Sequence, residues 1–185
     1  MTDPQESTSE QQQSMPDPLV ALATRAIEAY VTRRVTIEPQ EIPGLEPRQA
    51  GVFVSLHLKD GSLRGCIGTL QATQPFIEQE IVANAVSAAT CDPRFMPLST
   101  AELPLLDVSV DVLGPPEEVS GVEQLDPKEY GLIVQAADGR RALLLPDLEG
   151  VDTAEQQLRL TCRKGGIDPE RDHYRLFRFQ VQRHH

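Results

Sequence analysis

Between Gly51 and Leu70 the chain alternates apolar and polar residues, breaks once, and alternates again. In GVFVSLHL, Val52, Val54, Leu56 and Leu58 fall on one side and Phe53, Ser55 and His57 on the other, the period of two that marks a half-buried strand. Asp60-Gly61 is a strong short-range hairpin signal, and LRGCIGTL returns after it. This predicts antiparallel structure. With a two-residue loop, Lys59 pairs with Ser62, His57 with Arg64 and Ser55 with Cys66. Ser55, His57, Arg64 and Cys66 then share one face, and a slip of one residue would move the whole set to the other.

LRGCIG carries the candidate chemistry. Glycine weakens a strand, so Gly65 and Gly68 mark a bulge or a close backbone approach around Cys66. In this register Cys66 and His57 are diagonal neighbours with Cα atoms roughly 7–8 Å apart. A cationic Arg64 and an imidazole are surroundings that lower a thiol pKa and raise its nucleophilicity. The competing reading has Cys66 as a small apolar residue packed under a helix, since free cysteine is among the most buried residue types.

Residues 1–16, rich in Gln, Ser, Glu and Thr, predict a disordered acidic tail, and residues 17–185 predict one domain. Asp17-Pro18 is an N-cap and first-turn pair opening a helix with Leu19, Leu22, Ala23, Ala26, Ile27 and Tyr30 on its stripe. A second helix follows Pro75, with Ile77, Ile81, Ala85, Ala88 and Ala89 as a small-residue stripe, and stops at Asp92-Pro93. Ser99 and Glu102 read as a capping box. In LLDVSVDVL, Asp107, Ser109 and Asp111 point outward, and one wet face favours an antiparallel sheet. A second hairpin turns at Asp138-Gly139, Asp152 with Glu155 caps a third helix ending at Gly165-Gly166, and HYRLFRFQV is a final strand. The fold class is α+β with a mainly antiparallel sheet and packed helices. With 4% aromatic residues and no Trp, the core must be built from Leu, Val, Ile and Ala.

The net charge of −11 concentrates in residues 98–158, which hold thirteen acids against three bases. Such a surface disfavours nucleic acid and anionic lipid, and stacking aromatics are scarce. No run approaches the roughly 20 apolar residues of a membrane span, and the N-terminus lacks a secretory pattern. These features predict a cytoplasmic protein. Three cysteines with no C-x-x-C pair fit reduced thiols, with Cys91 and Cys162 as packing residues. Cys66 and His57 lack a third metal ligand, so no metal is assigned. His173 reads as strand-edge and His184-His185 as a frayed terminus.

GVFVSLH, LRGCIG, AATCDPRFMPL, the strand ending in GPPEEV, and GRRALLLP with KGGI together resemble the AMMECR domain family, in its AmmeMemoRadiSam system protein A form. The resemblance spans about residues 19–180, with GGI where AGL or AGI is commoner. It implies an α+β fold with a smaller lobe beside a larger one, and association with a Memo-type protein and a radical SAM protein. It specifies no reaction and no cofactor. Carried over by position, the family motif falls on Arg64, Gly65, Cys66, Ile67 and Gly68 and on Asp92, Pro93, Arg94 and Phe95. One reading has Cys66 as catalytic nucleophile or thiolate ligand, His57 as its base or second ligand, and Asp92 orienting a histidine or an arginine. Arg64 or Arg94 would hold an anionic group, with Gly65, Gly68 and Ser55 beside a small-molecule or peptide substrate. The other reading is a non-catalytic module that recruits a partner protein.

Overall fold

The computed structural model describes residues 17–185; the tail expected over residues 1–16 lies outside them. Helix α1 (Pro18–Arg33) opens on Asp17, whose Oδ1 accepts the Leu19 amide at 2.8 Å, as the N-cap signal requires. Its apolar stripe is buried, save Tyr30 at the margin. Strands β1 (Val52–Leu58) and β2 (Leu63–Gly68) form the expected hairpin. Helix α2 (Ile77–Thr90) buries its whole small-residue stripe. A 3-10 turn at Thr100–Leu105, started by the Ser99/Glu102 capping box, leads to β3 (Leu106–Leu113) and a short β4 (Glu117–Val119) that alternation did not reveal.

The second half builds another sheet. Strands β5 (Gly131–Ala136) and β6 (Arg141–Leu144) form the second hairpin, and α3 (Ala154–Gly165) follows. Its cap is Thr153 with Gln156 reaching back, one residue after the expected Asp152/Glu155 pair. Gly166 closes α3 at φ +61°, a left-handed position that glycine occupies without strain. The single final strand expected from the sequence is two: β7 (Tyr174–Phe179) belongs to the second sheet, and β8 (Val181–His184) crosses to the first.

Both sheets are four-stranded, in the orders β2-β1-β3-β8 and β4-β7-β5-β6, and all their pairings are antiparallel. α1 and α2 cover the Val52/Val54/Leu56 and Val110/Val112 face of the first sheet. α3 and the residue after its cap cover one face of the second, packing Cys162 and Ile167 against Leu132, Val134 and Leu176. Between the sheets Ile133, Leu143 and Phe179 meet Phe53, Leu113 and Val181. The polar face of the first sheet, expected to be wet, is therefore roofed in part by the second.

Cys162 is buried as expected, but Cys91 is exposed at the end of α2 and is not a packing residue. His184 is not frayed. Its Nδ1 lies 2.7 Å from Asp17 Oδ2, tying the last strand to the start of α1. Among the described residues no helix is long and apolar enough to cross a membrane.

Candidate functional site

Both hairpins use a loop one residue longer than a two-residue turn. The Leu58 amide donates to Ser62 O and the Gly61 amide to Leu58 O, so Lys59-Asp60-Gly61 is the loop, with Gly61 at φ +83°. Ala136, Arg140 and Gly139 repeat the same pattern. In the first hairpin this puts His57 opposite Leu63, correcting its expected pairing with Arg64. The register then shifts between Leu56 and His57, Arg64 is the extra residue of a bulge, and Ser55 still meets Cys66.

Because it sits in the bulge, Arg64 leaves the set it was expected to join. Its Nε donates to Glu102 Oε1 at 2.7 Å, its Nη2 donates to Met96 O at 3.0 Å, and its guanidinium lies 5.7 Å from the Phe95 ring centroid. It fastens the Asp92–Met96 loop and the following 3-10 turn to β2, and it is absent from the cavity lining. The two glycines also serve packing. A Cβ at Gly65 would stand 2.5 Å from Ala88 O, so its absence lets β2 lie on α2, and one at Gly68 would stand 2.3 Å from the Phe53 ring.

Above the polar face lies a cleft of about 800 Å³ between the two sheets, within the usual range for small-molecule sites. Its floor is ordered by register: Cys66, Ser55 and Ser109 form one row across β2, β1 and β3, and His57 with Asp107 forms part of the next. Phe53, Leu143, Leu144 and Leu145 supply apolar wall, and Arg94, Lys164, Arg183 and His185 line the rest with Asp92, Asp111 and others. Arg183 Nε donates to Asp111 Oδ1 at 2.8 Å, so an aspartate expected to be wet is buried and paired.

Cys66 is half-buried, and its thiol accepts from the Ser55 hydroxyl at 3.2 Å. Burial pushes the thiol pKa up. Ser55 and Arg94 pull it back, while Asp111 and Asp92 add to the rise. This corrects the expectation of a lowered pKa, since the expected cation, Arg64, faces elsewhere. His57 lines the cleft with Cys66, and among the described residues no hydrogen bond joins them.

Asp92 orients an arginine, not a histidine. Arg94 Nε and Nη2 donate to its two carboxylate oxygens at 3.0 and 2.7 Å, and the Arg94 and Cys66 amides donate to it at 3.0 and 2.8 Å. Arg94 Nη2 also reaches Cys66 O at 3.4 Å. These partners hold the Asp92 carboxyl far below the usual carboxylate range despite burial, Arg94 foremost. Arg94 Nη1 is left with no hydrogen-bond partner among the described residues, at the edge of the cleft. Among those residues, no group of three or more His, Cys, Asp or Glu is placed to hold a metal ion.

Sequence reasoning missed the roles of Asp107, Ser109, Asp111 and Arg183. The alternation of LLDVSVDVL put its polar residues on one face, but nothing local says that β3 lies beside β1 or that β8 returns to it.

The family model AMMECR1 matches residues 20–184. A Thermotoga maritima protein is 52% identical over 169 residues, covering 90% of this chain and 97% of its own. A Methanothermobacter thermautotrophicus protein is 40% identical over 182 residues, 90% and 92% of the two chains. A longer Clostridium acetobutylicum protein is 45% identical over 174 residues, and the chain spans 36% of its length. The crystal structure of an uncharacterized protein from Pyrococcus horikoshii matches with a TM-score of 0.80 at 34% identity, covering 89% of this chain and 88% of that one.

Proposed function

The chain belongs to the AMMECR1 family, and on that premise we propose that its cleft is an enzyme active site with Cys66 as nucleophile. The observation that carries this reading is that Cys66, Ser55, His57 and Arg94 open onto the same cleft. A protonated thiol needs a base at the moment of attack, and His57 is the histidine two residues along β1 from the residue paired with Cys66. Arg94, pinned by Asp92, offers Nη1 to an anionic or carbonyl group of the substrate, a small molecule or a peptide. The resemblance to the AmmeMemoRadiSam form supports a cytoplasmic setting for this step, with a Memo-type protein and a radical SAM protein as partners.

A second reading is a binding module that recruits a partner protein. It is favoured by the raised thiol pKa and by the Asp92–Arg94 clamp on the Cys66 backbone, which suit a structural motif. Replacing Cys66 by Ser separates the two. For an enzyme, turnover with the partner proteins supplied is lost while fold and partner binding persist, and cell extract leaves a mass adduct on wild-type Cys66. If Cys66→Ser abolishes partner binding and no adduct is ever trapped, the recruiting role stands instead.

A further inference from the structure

We propose that Asp107 is the positioning residue for His57, completing a Cys66–His57–Asp107 line across β2, β1 and β3 that performs acyl transfer; this rests on the reading of Cys66 as nucleophile. The register carries the proposal. His57 and Asp107 are direct cross-strand partners in the β1–β3 ladder. Both line the cleft. Directly opposed residues on one face have Cβ atoms roughly 4.5–5.5 Å apart, a span that a carboxylate-to-imidazole hydrogen bond can bridge, although among the described residues the Asp107 carboxylate rests on Lys59 and no hydrogen bond joins it to His57. Cys66 lies diagonally across the other flank of β1, opposite Ser55. His57 therefore stands on the strand between an acid and a thiol.

The two acids that act on Cys66 cannot take this part. Asp92 spends both oxygens on Arg94 and two amides, and Asp111 is held by Arg183. The partner of Asp107 is Lys59, and both side chains are more than half exposed, at 61% and 59%. An exposed ion pair of this kind is worth little and is readily exchanged. The charged groups nearest the line are Lys59 and Asp107 beside His57, and Arg94, Asp92 and Asp111 around Cys66, while Lys164, Arg183, His185, Asp147 and Glu149 face the same cleft from the other elements that line it.

The chemistry follows from a thiol that rests protonated. As the Cys66 sulfur forms a bond to the carbonyl carbon of an ester or thioester, its proton passes to His57, and Asp107 holds the imidazolium that results. Arg94 Nη1, which has no hydrogen-bond partner among the described residues, is the donor for the oxyanion. When the tetrahedral adduct collapses, the bond to the alkoxide or thiolate leaving group breaks and that group takes the proton from His57. Water, activated by the same imidazole, then releases the acid and restores the thiol.

The probe is p-nitrophenyl acetate on the full chain carrying Cys91→Ser, which removes the exposed thiol. Release of p-nitrophenolate and acetyl-Cys66 mass are followed from pH 6 to 10, with circular dichroism confirming the fold of each variant. Asp107→Asn should slow acetylation about tenfold and move the pH of half-maximal rate, whereas Lys59→Met should leave the rate equal or higher. His57→Gln should slow it at least as much, and adding Asp107→Asn to His57→Gln should do nothing further. If His57→Gln slows the reaction but Asp107→Asn leaves both rate and pH profile unchanged, Asp107 has no such role and the nucleophile reading survives. If wild-type Cys66 is not acetylated, or His57→Gln changes nothing, that reading falls and this inference with it.

Discussion

Asp92 Oδ2 accepts the backbone N–H of Cys66 at 2.8 Å, while Arg94, held by the same carboxylate, reaches the Cys66 carbonyl at 3.4 Å. β2 is an edge strand, and Cys66 faces Ser55 on β1. The Asp92–Arg94 pair thus occupies the outward backbone groups of Cys66 much as a neighbouring strand would. It blunts an edge that would otherwise invite pairing with another chain.

Asp92→Ala should therefore be costly. It removes the acceptor of two amides and of a guanidinium from a side chain only 2% exposed, which predicts a loss of about 3 kcal/mol. Urea unfolding measures it directly, and a midpoint unchanged from wild type would contradict the clamp.

The same contacts set an acid limit. Asp92 and Glu102 both have folded pKa values below their ordinary ones, Glu102 down to about 2 through Arg64 and the Ser99 amide. A group lowered on folding stabilises fully above its unfolded pKa and loses that contribution as the pH falls through its folded one. Stability should be full above about pH 5 and decline steadily toward pH 2. In Asp92→Asn the slope of unfolding free energy against pH below 5 should be shallower than in wild type.

Gly65→Ala tests the approach of β2 to α2. The added Cβ would meet a backbone carbonyl, Ala88 O, at 2.5 Å, so strand and helix must separate at a cost of about 3 kcal/mol. Gly68→Ala meets the Phe53 ring, a side chain that can turn, and should cost less; thermal unfolding of the two variants gives the ranking.

Thiol reactivity should sort by burial and charge. With iodoacetamide at pH 7, exposed Cys91 should be modified first, Cys66 more slowly than a free cysteine, and Cys162 only on unfolding. Arg94→Met removes a cation that lowers the Cys66 pKa, so it should slow that site further, as peptide mass spectrometry would read.

Arg183→Ala leaves Asp111, 5% exposed, as a buried charge without its partner and loosens β8 from β3. A loss of about 2 kcal/mol is expected, less than for a fully buried pair because Arg183 is one-third exposed. Asp111→Asn combined with Arg183→Ala should recover part of it in the same melt.

Local signals with a single physical solution are legible in the chain itself. The two-residue period assigns Val52, Val54 and Leu56 to the core and Ser55, His57 and Cys66 to the opposite face, because a pleated strand allows no other division. Asp17, Ser99 with Glu102, and Gly166 each mark a helix terminus, since few side chains can satisfy or release the backbone there. What tertiary structure decided was everything that depends on a partner distant in the chain. A loop one residue longer and a bulge one residue later cancel at Cys66, so the expected Ser55 pairing held while Arg64 turned to Glu102 and the Phe95 ring. Asp92 answers to Cys66 because the loop after α2 comes back against β2, and Asp107 lies opposite His57 because β1 and β3, far apart in the chain, are neighbours in the sheet. The cleft itself needs a second sheet laid over the first. Periodicity reports which side of a strand is polar; only packing determines whether that side meets water or forms the wall of a site.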